Sequence, residues 1–373
     1  MPPRVLIVPD KFKGTLTARQ AAEAIGRGWA AARPNDSIEL LPMSDGGDGF
    51  GEILGELLGA EPVTTKTVDA AHRPIESVWQ WHESSGTAII ESAGVIGLAM
   101  LPPGKYHPFE LDTQGLGSVL KAAASRGAQR CLVGIGGSAT NDGGFGLARS
   151  LGWQFFNGHH EVISRWTGLH DLVVVRPPEQ ASLFEDLAVA VDVRNPLLGP
   201  EGCSRVYGPQ KGLTEFDLAE RCLGQLAGVL EKQLQLRHAQ EPGAGAAGGL
   251  GFGLRCFARA RLEPGFALFA GLARLEERVR QAELVLTGEG SLDASTLMGK
   301  GVGAIAQLCR GAGVPCIGLA GVVADVARAG ATFTAAHALT PEFTSTGEAM
   351  TKPTVWLERL AAKAGAEWRP ALP

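Results

Sequence analysis

Residues 130–152 read RCLVGIGGSATNDGGFGLARSLG, and the reading of this stretch decides how the rest of the chain is interpreted. Residues 131–135 form a short apolar run suited to a buried strand, while Phe145, Leu147, Ala148 and Leu151 recur at helical spacing. A glycine loop joins the two. Gly134, Gly136, Gly137, Gly143 and Gly144 allow sharp turns and close backbone approach, and Ser138, Thr140, Asn141 and Asp142 add hydroxyl, amide and carboxylate groups. A strand running through such a loop into a helix is expected to leave unpaired N–H groups at the positive end of a helix dipole, which suits a phosphate or carboxylate. A single glycine turn is ordinary punctuation, so its meaning depends on its neighbours.

Outward from this stretch, the same strand, polar loop and helix scheme recurs toward both termini. Residues 4–9 are a β-branched apolar run that ends in Asp10, Lys11, Phe12, Lys13 and Gly14. Thr17 and Gln20 then form a capping box for a helix reaching Ala32, with Ala21, Ala24, Ile25 and Trp29 on its inner stripe. A second strand at 38–42 empties into Ser44, Asp45, Gly46, Gly47, Asp48 and Gly49 before a helix at 50–58. The rhythm changes after Gly59, where 63–68, 75–82 and 87–91 read as antiparallel strands. Further on come a helix at 116–125, a strand at 187–193 and a long amphipathic helix at 213–236. Buried strands resume at 282–287, 315–320 and 335–339, and a helix at 348–368, interrupted near Pro353, closes the chain.

This order predicts an α/β protein of two α/β domains. Residues 1–65 and 283–373 should build one open, mainly parallel Rossmann/flavodoxin-like sheet, with 66–282 inserted as a second, mixed α/β domain. A length of 373 residues agrees with more than one core. The 51 glycines are about twice the usual share and cluster in loops without a period, which points to many tight strand-to-helix turns.

Apolar residues at 45% and charged residues at 20% indicate a folded globular chain. A net charge of −5 without a basic run offers no footprint for nucleic acid or an anionic membrane. No apolar run reaches the ~18 residues of a membrane span, and six scattered cysteines without a C-x-x-C pair read as reduced core residues, so a cytoplasmic location is expected. The sequence does not speak to oligomeric state.

Asp10, Asp45, Asp48, Asp142, Asp192, Glu289 and Asp293 all fall in glycine-flanked loops after expected strands, with Lys11, Lys13, Arg194, Lys211 and Lys300 similarly placed. Any one of these carboxylates alone reads as a turn or cap. Together they suit phosphoryl transfer to a small molecule, in which carboxylates hold Mg²⁺ and accept a hydroxyl proton while cations and N–H groups stabilise phosphoryl oxygens. There is no H-E-x-x-H, no G-x-S-x-G and no P-loop. GAGAAG at 243–248 has the glycine spacing of a dinucleotide fingerprint but follows a helix and a turn, so it reads as a helix entrance that permits close packing. Gly134, Gly136 and Ala139 form a G-x-G-x-x-A that keeps an NAD(P)-dependent dehydrogenase of a small hydroxy acid as the rival reading, and a non-catalytic sugar-acid binding protein is the third.

PDKFKGTL (9–16), SDGGDG (44–49), GIGGSATNDGG (134–144), DVRNPLLGPEG (192–202), YGPQKG (207–212), PGAGAAGGLG (242–251) and LTGEGSLD (286–293) resemble, in order, the motifs of the type I glycerate kinases. The resemblance spans nearly the whole chain. It implies two α/β domains with a cleft between them, and transfer of the ATP γ-phosphate to D-glycerate with Mg²⁺, giving 2-phosphoglycerate. The sequence departs from the family pattern at Asp48 (commonly Glu), Phe50 (Thr), Ser291 (Arg) and Ser295 (Gln), and lacks the customary Pro after Lys300.

The expected site follows. Asp192, held after a rigid strand by Asn195-Pro196, is assigned as the base that orients and deprotonates the acceptor hydroxyl, with Asp293 as the competing catalytic carboxylate. Lys11 neutralises charge on the phosphoryl group or the acceptor carboxylate. Asp45 and Asp48 are the expected metal ligands. Asp10, Gly136, Gly137, Ser138, Asn141, Asp142, Arg194, Asn195, Lys211 and Glu289 are the expected substrate- and phosphate-binding residues.

Overall fold

Residues 4–9 become β1 (Arg4–Pro9) of a computed structural model that describes residues 2–179, 182–293, 296 and 301–369. The chain leaves β1 for a helix at Ala18–Ala32, whose start is fixed by the expected capping box: Thr17 Oγ1 accepts from the Gln20 amide and Gln20 Oε1 from the Thr17 amide. It returns as β2 (Ser37–Leu40), parallel to β1.

The chain then forms a second unit. After a helix at Phe50–Leu58 come β3 (Glu61–Val68), β4 (Pro74–His82) and β5 (Thr87–Glu91), paired antiparallel as their alternation predicts. The Gln114–Ser125 helix carries the crossover from β5 to β6 (Arg130–Gly134), and from there the pairing is parallel. A hairpin of β7 (Gln154–Asn157) and β8 (Leu172–Arg176) stands apart, followed by β9 (Asp186–Val191) and β10 (Arg261–Pro264). Among the described residues this unit's main sheet has six strands in the order β10-β9-β6-β5-β4-β3. Its core includes Trp79, Ile90, Val133, Phe145, Phe155, Val189, Leu223 and Phe257.

The last part of the chain returns to the first sheet as β11 (Leu284–Leu292), β12 (Cys316–Val323) and β13 (Ala335–Thr340). The order is β13-β12-β11-β1-β2, all parallel, with Val5 level with Leu284. The two chain ends therefore share one sheet. This is the flavodoxin-like order, and the direction of strand succession reverses between β1 and β11. Val5 and Ile7 face a layer made by the Ala18–Ala32 and Pro353–Glu367 helices, which lie close enough that a Cβ at Gly28 would meet the Glu358 carbonyl.

The two compact units are Met1–Ser44 with Phe269–Pro373, and Asp45–Leu268. Both boundaries fall earlier than the expected 65 and 283. The Phe50–Leu58 helix packs on β4 and β5, so the change of unit precedes the change from helical to alternating pattern. A second difference concerns LTGEGSLD. Expected as a loop, it continues β11 as far as Leu292, because β12 runs on beside it with Glu289 level with Ala320 and Ser291 with Val322.

Candidate active site

In the Asp45–Leu268 unit, the SDGGDG and GIGGSATNDGG loops lie against each other above the ends of β6 and β9. Gly136 donates its amide to the Gly46 carbonyl at 3.2 Å, and a Cβ at Gly46 would stand 2.7 Å from Ala190 Cβ at the end of β9. Gly137 has φ +74°, and a Cβ there would sit 3.3 Å from Asp48 Oδ1. Asp48 is exposed, and Asp45 Oδ1 accepts from the Gly47 amide at 3.1 Å. Glu91, at the end of β5, has a part that sequence reasoning missed. Its carboxylate accepts from the amides of Gly49 (3.2 Å) and Gly51 (3.1 Å) and so caps the helix that follows SDGGDG.

The central loop differs from expectation in one respect. The start of the helix at Phe145–Ser150 is closed from within, because Asp142, fully buried, accepts from the Thr113 amide and hydroxyl and from the amides of Gly144 and Gly146. Thr113 Oγ1 in turn accepts from the Leu147 amide at 2.9 Å. Burial, then the neighbouring Asp112, raises the Asp142 carboxyl to about 6 against these hydrogen bonds. Asp142 is thus a cap of its own loop. Among the described residues, the amides of Gly137, Ser138, Asn141 and Asp142 enter no hydrogen bond; Gly137 is exposed beside Asp48, whereas Ser138, Asn141 and Asp142 are buried.

The remaining residues of this unit divide into two groups. Asp192 and Arg194 are exposed just beyond β9. Asn195 is committed to structure, donating to the Glu201 carbonyl at 2.8 Å and accepting from the Tyr207 hydroxyl at 2.6 Å. Asn141 is fully buried and donates to Ser204 Oγ at 2.9 Å. Lys211 is also buried, with Nζ 2.6 Å from the Thr140 carbonyl. The expected close packing at 242–251 is present: a Cβ at Gly248 would stand 1.9 Å from the Thr140 carbonyl.

The other unit carries Asp10, Lys11, Glu289 and Asp293. Asp10 and Lys11 follow β1 at the point of strand-order reversal, with Asp10 Oδ1 accepting from the Lys11 amide at 2.7 Å. Asp10 Oδ2 lies 3.9 Å from where a Gly301 Cβ would stand, at the start of the Val302–Ala312 helix. Glu289 Oε1 accepts from the Thr296 hydroxyl at 2.6 Å and Asp293 Oδ1 from the Thr296 amide at 3.3 Å. Ser295 and Lys300 lie outside the described residues.

A glycine turn with unbonded amides, close to an exposed carboxylate and set above parallel strand ends, suits a phosphate-handling α/β enzyme. The dinucleotide alternative lacks its helix start, which Asp142 occupies. The glycerate kinase family profile matches residues 5–369, and the chain belongs to that family. It is 37% identical to a glycerate kinase of Halalkalibacterium halodurans over 96% of both chains, and 34% identical to a glycerate 2-kinase of Escherichia coli over 86% of both. A crystal structure assigned as a glycerate kinase 2 from Salmonella typhimurium LT2 superposes with a TM-score of 0.84 at 29% identity, over 98% of both chains. The protein is accordingly an ATP-dependent phosphotransferase with an alcohol group as acceptor.

Proposed function

We propose that the chain transfers the γ-phosphate of ATP to the 2-hydroxyl of D-glycerate, giving 2-phosphoglycerate, in the cytoplasm. The observation that carries this reading is the Gly137–Ser138 turn, whose amides are free and whose neighbour is the exposed Asp48 carboxylate. The turn holds a phosphate or carboxylate oxygen through backbone N–H groups. Asp192, exposed beyond a buried strand and followed by the pinned Asn195, accepts the proton of the attacking hydroxyl. Lys11 neutralises developing charge, and Arg194 is available to an anionic substrate group. Six buried free thiols support a reducing compartment, and among the described residues no helix is long and apolar enough to cross a membrane.

Asp45 and Asp48 fit Mg²⁺ as hard oxygen donors. Among the described residues no three His, Cys, Asp or Glu side chains converge as a metal cage. Mg²⁺ binds with one or two carboxylates together with phosphate oxygens and water, so this pair fits the ion when it arrives with the nucleotide. When bound, Mg²⁺ supplies charge neutralisation on the phosphate oxygens. The test is the ³¹P NMR spectrum of the product formed from ATP and D-glycerate, with and without excess EDTA. A 2-phosphoglycerate signal that vanishes with EDTA is expected; 3-phosphoglycerate, or full turnover in EDTA, contradicts the regiochemistry or the metal.

A further inference from the structure

We propose that Lys211 is a positioning residue for anion binding: its buried ammonium fixes the Thr140 carbonyl and through it the Gly137–Ser138 turn, and an anion captured at that turn draws a proton onto the lysine. This rests on the reading of the turn as an anion site.

Lys211 ends the short turn Pro209–Lys211 and is 7% exposed. Its 2.6 Å bond holds one side of the Thr140 carbonyl, and Gly248 closes the other. Thr140 passes the constraint on, since its hydroxyl and amide meet Ser138 Oγ at 2.9 and 3.2 Å. The segment that carries Lys211 also grips the next residue, through Ser204 and the Asn141 amide. Two adjacent loop residues are thus anchored by one short stretch of chain.

Lys211 is not balanced by a free anion. The ionisable groups that face it are Cys203, from the Cys203–Tyr207 helix, and Asp142, from the loop. Burial pushes the Cys203 thiol up to about 12, despite the hydrogen bond from Ser204 and the charge of Lys211, with Glu220 of the Phe216–Leu234 helix adding to the rise; the thiol is therefore neutral. Asp142 is already surrounded by four donors. The Ala246–Ala258 helix meets the Thr140 carbonyl through Gly248. Burial lowers Lys211 to about 8, the charge of Asp142 opposing the fall. A folded value below that of an unfolded lysine means that the charged form opposes folding, so removing the charge does not weaken the fold. An anion on the turn, about 10 Å or less away along the chain, supplies the missing negative charge in a poorly screened interior.

The test is calorimetric titration at pH 8 with the Mg²⁺ complex of a non-hydrolysable ATP analogue, and separately with D-glycerate, in buffers of low and high ionisation enthalpy. In the wild type, at least one ligand should show a buffer-dependent enthalpy equivalent to uptake of about half a proton per site. Lys211→Met should lose that dependence and bind about 10-fold more weakly, because a charged hydrogen bond is gone, while still melting cooperatively. Buffer-independent binding by the wild type overturns the proposal and leaves the turn as an anion site, as does a variant that binds like the wild type. Binding of neither ligand overturns the reading of the turn and the proposal with it. Should Lys211→Met not fold, the wild-type buffer comparison decides alone.

Discussion

Asp142 accepts four hydrogen bonds in a fully buried position, and removing it leaves those donors unsatisfied. Asp142→Ala should therefore cost about 3 kcal/mol of unfolding free energy in urea titrations, the order expected for several stranded buried donors. The pH dependence has a definite sign. A carboxyl raised to about 6 contributes stability that is complete below the unfolded value near ~3.9 and is lost as pH rises through 6. The wild type's advantage over Asp142→Ala should accordingly be greater at pH 5 than at pH 7.5; an advantage that grows with pH would mean that the carboxylate is stabilised by charge instead. Gly137→Val places a β-branched side chain at φ +74°, against Ala93 and Asp48, and should abolish ligand binding by calorimetry in a protein that still melts cooperatively. Normal affinity in that variant would remove the turn from the site. Residue types at this loop were legible in the sequence, whereas their directions were not. Asp142 reads equally well as a ligand or a cap, and only its partner Thr113, 29 residues away, separates the two.

Gly248 belongs to a left-handed stretch, Ala247–Gly248–Gly249, which kinks the Ala246–Ala258 helix near its start and rests directly on Thr140 and Gly143. Gly248→Ala would drive a methyl group into the Thr140 carbonyl, so the whole central loop must shift. It should lower the melting temperature and weaken ligand binding together. A variant with weakened stability and intact binding would show that this contact does not shape the site. Local signals made many elements readable: the Thr17 and Gln20 capping box, the alternation of β3 to β5, and the helix at Phe50–Leu58 all depend on near neighbours in sequence. Long-range pairing hid the rest. β11 extends through its glycines only because β12 lies beside it, and Glu91 caps a helix 40 residues earlier in the chain.

Both chain ends are required for the first sheet, since β1 is hydrogen-bonded to β11 on one side and β2 on the other. The recurrence of buried strands after the antiparallel interlude made this legible, because sequence-distant strands of that type need covered faces on both sides. The boundaries of the two units were less so, since the Phe50–Leu58 helix looks alike in either. The most direct test of the proposed function is steady-state ADP release from MgATP with D-glycerate, compared between wild type and Asp192→Asn. Acceptor-dependent turnover is expected in the wild type, and a kcat about 10²- to 10⁴-fold lower in the variant with ATP affinity nearly unchanged. ADP release that does not depend on D-glycerate, or near-native kcat in Asp192→Asn with its loss in Asp293→Asn, would contradict the acceptor or the base.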